Sequence, residues 1–138
     1  MYNYIIVGAG SAGCVLAYRL SENPKNEVLL LEAGGSDKHP FIRIPAGEIK
    51  AIQSNKFNWH YKAGVDPSLN NRANVWPAGK VLGGSSSING MVYIRGQKED
   101  YDSWSDLVSN NKGEWSYKDV LEYFKKMESN PINNNDYH

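Results

Sequence analysis

Apolar and polar positions alternate between two periods along the chain. Tyr2 to Val7 is a short apolar run rich in β-formers and ended by Gly8. It predicts a buried strand. Ser11 to Ser21 carries Ala12, Leu16 and Leu20 at i, i+4 and i+8, with Ala17 beside them. That is one face of a helix, and Asn23-Pro24 ends it. Glu27 to Leu31 predicts a second buried strand, closing at Glu32. Strand, helix and strand within about 30 residues make a βαβ unit, with parallel strands and a right-handed crossover.

Residues 33–79 break the pattern. They hold four of the six prolines and no helical period. The expectation there is an irregular excursion, with a helical turn at Glu48 to Gln53 and an extended stretch at Trp59 to Lys62. A stretch this long is unusual in a compact domain unless it is functional. Lys80 to Gly96 is rich in Gly and Ser, interrupted by Val81, Leu82, Ile88, Met91 and Val92. A helix is predicted from Lys98 to Val108, with Tyr101, Trp104 and Val108 on one face. Another starts after Ser116 as N-cap, with Asp119 as a capping-box acid. It runs through Val120, Leu121 and Phe124 to Glu128, and Asn130-Pro131 stops it. Residues 1–130 are expected to form one unit and 131–138 a frayed polar tail or linker.

Composition narrows the class. The chain has 138 residues, 41% hydrophobic and 22% charged, which is ordinary globular usage. Fifteen basic residues balance fifteen acidic ones. No net field would attract nucleic acid or an anionic membrane. A single cysteine, Cys14, excludes an internal disulfide and any multi-cysteine metal site, and His39, His60 and His138 lack ligand spacing. Tyr4 to Val7 is too short for a membrane span or a signal-peptide core. The expectation is a chain starting at Met1 in a reducing, cytoplasmic setting, or peripheral to the inner membrane.

Gly8-Ala9-Gly10-Ser11-Ala12-Gly13 is a GxGxxG between predicted strand and predicted helix. Gly8 permits a tight turn, Gly10 lets backbone approach a pyrophosphate, and Gly13 lets the helix pack closely. The helix start offers unpaired N–H groups to phosphate. Glu32 lies at the end of the second strand, where a carboxylate accepts bonds from ribose hydroxyls. It would repel the 2′-phosphate of NADP, which leaves FAD and NAD. A second loop, Gly79-Lys80-Val81-Leu82-Gly83-Gly84-Ser85-Ser86-Ser87-Ile88-Asn89, has embedded apolar residues that flexible linkers lack. Its small residues would let backbone approach a flat ring system and its phosphates.

These residues resemble the glucose-methanol-choline (GMC) family of FAD-dependent oxidoreductases. The likeness runs from Gly79 through Asn89 to Tyr93, Gly96 and Asp102. It includes Tyr4 to Cys14, Leu30 to Gly35, Asn58-Trp59, Asn70-Asn71-Arg72, Asn89 to Gly96 and Trp115-Ser116-Tyr117. The resemblance implies an α/β, Rossmann-type FAD-binding domain, present as its N-terminal portion. It implies oxidation of a primary alcohol, choline or aliphatic, with hydride passing to flavin N5 and an electron acceptor that stays open. By the same resemblance Gly8, Gly10, Ser11, Ala12 and Gly13 hold the pyrophosphate, and Glu32 with Ala33 the ribose. Lys80, Leu82, Gly83, Gly84, Ser85 and Ser86 lie along the FAD. Asn89, Gly90, Met91 and Val92 pass the flavin's reactive edge. Ile88 stands where some members carry a histidine bonded to the flavin, so FAD here is expected to be non-covalent. The family's catalytic histidine and substrate domain lie further along the chain, and no catalytic residue is assigned here. The rival expectation is a nucleotide-binding or interaction module without catalysis.

Other residues carry blander expectations. Cys14 reads as a small packed core residue. His60 reads as a partly buried structural histidine, and Trp104, Trp115, Tyr117 and Phe124 as core. Arg95 reads as a partner for a cofactor phosphate or as half of an ion pair. Lys125-Lys126 reads as a solvated helix end.

Overall fold

The computed structural model describes residues 1–108 and 114–128. The polar tail and the Asn130-Pro131 stop lie outside them. Two compact units part between Met91 and Val92.

The first unit opens with the expected βαβ. Strand β1 (Tyr4–Val7) pairs in parallel with β2 (Val28–Leu31), Tyr4 opposite Val28 and Val7 opposite Leu31. Helix α1 (Ser11–Ser21) connects them. Its inward stripe differs from the expected one. Gly13 is buried and Ala17 and Leu20 are half-buried, whereas Ala12 and Leu16 are exposed. The glycine brings the helix so close that the stripe turns about its position. Cys14, expected in the core, is exposed for the same reason, and its thiol donates to the Ala9 carbonyl at 3.3 Å.

The strands are not the buried strands expected. Ile6 faces α1 and is buried, but Ile5 is 61% and Val7 84% exposed. Alternate residues face opposite sides of a sheet, and a parallel sheet is stable only with both sides covered. Helix α1 covers one side of a pair that has two strands among the described residues.

The excursion contains more order than its sequence signals. Helix α2 (Pro40–Arg43) is followed by α3 (Glu48–Gln53), which matches the expected turn. A hairpin of β3 (Tyr61–Asp66) and β4 (Arg72–Trp76) pairs antiparallel, with an irregularity between Lys62 and Val65. The chain then returns through the first unit. Gly79 bridges Asn58 in antiparallel fashion and Val81 bridges Gly35 in parallel. This extended returning segment, residues 79–82 (the return strand), is held by single bridges and supplies Val81, with no exposed surface, to a core of Ala51, Phe57 and Ile88, flanked by Ile42 and Ile52.

The second unit is a pair of helices, α4 (Lys98–Val108) and α5 (Tyr117–Met127). Ser116 caps α5 with the expected capping box: its side chain accepts from the Asp119 N–H, and Asp119 accepts from the Ser116 N–H. The packed stripe of α4 is Tyr101, Asp102 and buried Ser105. The Tyr101 ring meets Phe124 at 5.7 Å and Tyr117 at 6.2 Å. Tyr117 and Phe124 are half-buried, but Trp104, Trp115 and Val108 are more than half exposed, contrary to expectation. A buried hydroxyl at Ser105 leaves room for the helices to approach on that side, and the larger rings turn outward. Arg95 forms an ion pair with Glu128, which decides between its two readings. Among the described residues no helix is long and apolar enough to cross a membrane.

Asp102 ties the two helices together. Its carboxylate accepts from Lys98 Nζ at 2.7 Å and from the Tyr117 N–H at 3.0 Å. The Lys98 hydrogen bond, then the Tyr117 N–H, hold its carboxyl below the ordinary carboxylate value. A lowered folded pKa stabilises above the unfolded value of about 3.9 and is lost as pH falls through the folded value. Acid below about pH 4 should therefore loosen this helix pair. Asp102→Asn should flatten that part of an acid titration followed by tryptophan fluorescence. An unchanged profile in the variant would remove Asp102 from the account.

Candidate functional site

The turn from β1 into α1 sets the first wall of a cleft. Gly8 has φ +96, and a Cβ on it would project into open space with no atom within 4 Å. Its N–H bonds the Leu31 carbonyl at 2.7 Å, which fixes the turn against β2. At Gly13 a Cβ would lie 1.9 Å from the Gly8 carbonyl oxygen, so the helix folds back against the loop's own backbone. Gly10, the N-cap of α1, provides no side-chain cap, and the helix's first N–H groups remain available to an anion.

Glu32 sits at the end of β2 and is half-buried. Oε2 accepts from the Ala9 N–H at 2.8 Å and Oε1 from the Gly34 N–H at 2.9 Å. The carboxylate thus clamps the glycine loop to the segment after β2. A carboxylate offers about four lone-pair sites. These two bonds leave room for two hydroxyl donors from the cleft.

The return strand sets the opposite wall. Gly83 N–H bonds the Ala9 carbonyl at 2.8 Å, and Leu82 N–H bonds that of Gly35 at 2.9 Å. Gly84 has φ +58, and a Cβ there would lie 2.9 Å from the Gly10 Cα. A Cβ on Gly34 would lie 2.1 Å from the Lys80 carbonyl. Gly84 opens a short 3-10 turn, Gly84–Ser87, in which Ser86 donates to the Gly83 carbonyl at 2.6 Å. Ser85 Oγ accepts from the Gly79 N–H at 3.0 Å.

These walls enclose a cleft of about 580 Å³, within the ~300–1,000 Å³ range of small-molecule sites. Gly8, Gly10, Glu32, Ala33, Gly84 and Ser85, all singled out in the sequence, line it together with Val7, Leu31, Gly79 and Trp59. Ser11, Ala12 and Gly13 stand behind it as the first turn of α1. Leu82 and Gly83 belong to the wall's backbone, and Leu82 is 44% exposed. Ser86, Asn89 and Met91 line a second, smaller cleft on the other side of the same loop. Gly90 lies with them, beside the Glu48 carboxylate. Val92 opens the second unit and is exposed. Among the described residues no His, Cys, Asp and Glu cluster suits a metal.

Two residues at this site carried no role in the sequence reading. The Trp59 indole lines the first cleft, and Lys80 Nζ lies 4.4 Å from its ring centroid. Lys80 therefore acts on the cleft through the indole, as a cation–π partner. Asn58 holds Trp59 in place. It is buried, donates to the Ile52 carbonyl at 2.6 Å, and accepts from the His60 and Ala78 N–H groups, both at 2.9 Å. An asparagine followed by a tryptophan after an irregular stretch was the available signal. His60 is half-buried as expected, with φ +49 and an Nε2 that has no partner among the described residues.

Comparison with known proteins settles the family. The GMC oxidoreductase model matches residues 2–135. The chain belongs to the GMC oxidoreductase family. An oxygen-dependent choline dehydrogenase of Rhizobium etli is 53% identical over 126 residues, covering 91% of this chain and 22% of that protein. An alcohol dehydrogenase [acceptor] of Pseudomonas putida is 52% identical over 130 residues, 94% of this chain and 23% of that one. Among solved structures, pyridoxine 4-oxidase from Mesorbium loti superposes with a TM-score of 0.85 at 34% identity. It covers 96% of this chain and 26% of that one. A formate oxidase superposes at 0.76 and 31% identity, covering 94% and 24%. The chain thus spans about a quarter of the GMC relatives that it matches. Their likeness confirms the α/β, FAD-binding-type fold expected from the sequence.

The seam between the two glycine loops yields a prediction. Gly84→Ala would pay for a left-handed φ and for contact with Gly10, together ~1–3 kcal/mol. Gly35→Ala, whose Cβ would meet nothing within 4 Å, serves as the control. The urea midpoint should fall clearly in the first variant and stay within about 0.5 kcal/mol of wild type in the second. Equal midpoints for both would show that the loops do not touch as described.

Proposed function

We propose that this chain is the FAD-binding portion of a GMC enzyme that oxidises a primary alcohol, choline or an aliphatic alcohol, to the aldehyde. The observation that carries the reading is the Glu32 carboxylate, clamped by two backbone N–H groups, beside an uncapped helix start and a glycine-lined cleft. That donor set fits the adenosine half of a dinucleotide. Gly8, Gly10, Ser11, Ala12 and Gly13 would present backbone and helix dipole to the pyrophosphate. Glu32, with Ala33, would accept from the ribose hydroxyls, and its charge would exclude a 2′-phosphate. Trp59, stiffened by Lys80 and Asn58, would close one side.

Leu82, Gly83, Gly84, Ser85 and Ser86 would run along the cofactor. Asn89, Gly90, Met91 and Val92 would border the flavin's reactive edge. FAD, when bound, supplies the hydride acceptor at flavin N5; the protein's part is to position it. The proton acceptor and most of the substrate pocket would come from the remainder of a GMC chain. The electron acceptor stays open between oxygen and another oxidant. Localisation in the cytoplasm, or peripheral to the inner membrane, belongs to the same reading. The protein carrying this segment should be yellow as purified. Its flavin should bleach when choline or octanol is added without oxygen. A colourless protein that does not take up FAD would favour an interaction module instead.

Two predictions follow from the cofactor site. Glu32→Ala removes a charged acceptor, worth ~1.5–3 kcal/mol, and frees the Ala9 loop. The FAD Kd should rise at least about tenfold, read by flavin fluorescence after dialysis. A Kd within about twofold of wild type would refute the ribose assignment. The Ile88 side chain is an alkyl group that is 5% exposed and packed against Ala51, Phe57 and Val81. It offers no atom for a flavin bond. Acid or heat should release all the flavin without proteolysis. Yellow fluorescence on the protein band of a denaturing gel would refute this.

A further inference from the structure

Asn89 is the one asparagine of the chain that precedes a glycine. That pairing has a chemistry of its own. The backbone nitrogen after an asparagine can attack the side-chain amide carbon. A glycine nitrogen, with no Cβ beside it, meets the least obstruction. Burial, or hydrogen bonds on the side-chain amide, suppress the attack. Asn58 is such a case. It is 3% exposed, its side-chain N–H donates at 2.6 Å, and its carbonyl accepts from two backbone N–H groups.

Asn89 has none of that restraint. Asn89 and Gly90 are both exposed, in the segment between the Gly84–Ser87 turn and the end of the first unit. Among the described residues the Gly90 N–H has no acceptor, and neither has the Asn89 side-chain N–H. Nucleophile and leaving group are therefore both unengaged. The side-chain carbonyl is held. Asn89 Oδ1 accepts from the Met91 N–H at 2.8 Å. Attack would turn that oxygen into an oxyanion, and an N–H already aimed at it stabilises the charge as it develops. The segment is fixed on one side by Ile88, buried in the core, and on the other by Met91 at φ +57, a left-handed conformation that a residue with a Cβ adopts at a cost.

We propose that Asn89–Gly90 is a site of self-modification, at which conversion of Asn89 loosens the hold on the flavin. The Gly90 nitrogen bonds to Asn89 Cγ and gives up its proton to solvent. The Cγ–Nδ2 bond breaks, and the departing nitrogen takes up a proton and leaves as ammonia. The resulting succinimide adds water at either of its carbonyls and opens to aspartate or isoaspartate. Both products put a carboxylate on a loop where Glu48 Oε1 already lies 3.4 Å from the place of a Cβ on Gly90. Like charges there repel. Isoaspartate also lengthens the backbone by a methylene group next to buried Ile88. The consequence for the cofactor rests on the reading that Asn89–Met91 border the flavin; the chemistry of the site does not.

The test ages the full-length protein in neutral buffer, folded and unfolded in urea, and follows its peptides by mass spectrometry. Isoaspartate at residue 89 should form in the folded protein within about fivefold of its rate in the unfolded chain. Asn58 should stay intact in the folded protein. Gly90→Ala should slow conversion at least about tenfold. The aged form carries an added negative charge and separates on an ion exchanger. Its FAD Kd should exceed that of the fresh form at least about tenfold. A folded rate suppressed by more than about fivefold overturns the proposal. So does aspartate at residue 89 without isoaspartate, since only the ring yields both. Aged and fresh forms with FAD Kd values within about twofold of each other overturn it as well. A fresh protein that takes up no FAD overturns the cofactor reading and the consequence drawn from it, while the two rates still decide the chemistry at Asn89.

Discussion

The first unit depends on backbone meeting backbone where no side chain intervenes. The turn after β1 and the return strand are about seventy residues apart in the chain. They touch through Gly10 and Gly84 and through Gly83 N–H on the Ala9 carbonyl, and the return strand also meets Gly34, after β2, at the Lys80 carbonyl. A methyl group at Gly34 or Gly84 would separate them. With the seam closed, Val81 reaches the core and Ser85 reaches the cleft. One contact therefore organises both the hydrophobic interior and the candidate cofactor site. The core residue Val81 lies between Lys80 and Leu82, both of which the proposed function sets at the cofactor site. On that reading, stability and binding are coupled at this point by simple adjacency.

Polar groups then refine what the seam allows. Among the described residues Glu32 is the one carboxylate that lines the cleft, and it satisfies two backbone donors. A buried or half-buried charge needs such partners. On the proposed reading, a ligand would meet an acceptor already oriented, with less ordering left to do on binding. Asn58 does the same for Trp59, spending three hydrogen bonds on the loop that carries the indole. The exposed faces of β1 and β2 have no comparable solution among the described residues. Ile5 and Val7 present an apolar surface that a parallel sheet keeps covered. This agrees with a chain that spans about a quarter of its relatives.

What the sequence revealed depended on how local the determining physics was. The α1 limits, the turn at Glu48 to Gln53 and the Ser116–Asp119 capping box were all legible, because caps and helix periods act within a few residues. The β3–β4 hairpin was not. Its strands carry Lys62, Gly64, Asp66 and Arg72 in place of an apolar alternation, and most of their residues are exposed. Its turn relies on Asn70 and Asn71 at φ 57 and 56, a conformation asparagine tolerates but does not announce. Cys14 and Leu16 were misplaced because Gly13, and not hydrophobicity, sets the rotation of α1. In the cleft, glycines and Glu32 were legible from spacing. Trp59 was not, since its position follows from the path of the return strand.

The two clefts share one loop but obey different constraints. The first is walled largely by backbone at glycines whose replacement would strain the fold. The second is lined by side chains such as Phe41, Arg43 and Glu48, which belong to two short helices and the turn between them. Substitutions there change charge and shape at little cost to the seam, because surface-facing positions away from strained backbone are tolerant. On the proposed reading, the cofactor cleft is held fixed by sterics, whereas the substrate side is left to vary. The solved relatives fit that division. They keep the fold at 31–34% identity, and by their names one acts on pyridoxine and another on formate. A rigid cofactor seat with an adjustable neighbour lets one chemistry serve many small molecules, and it places the search for specificity outside the glycine motifs.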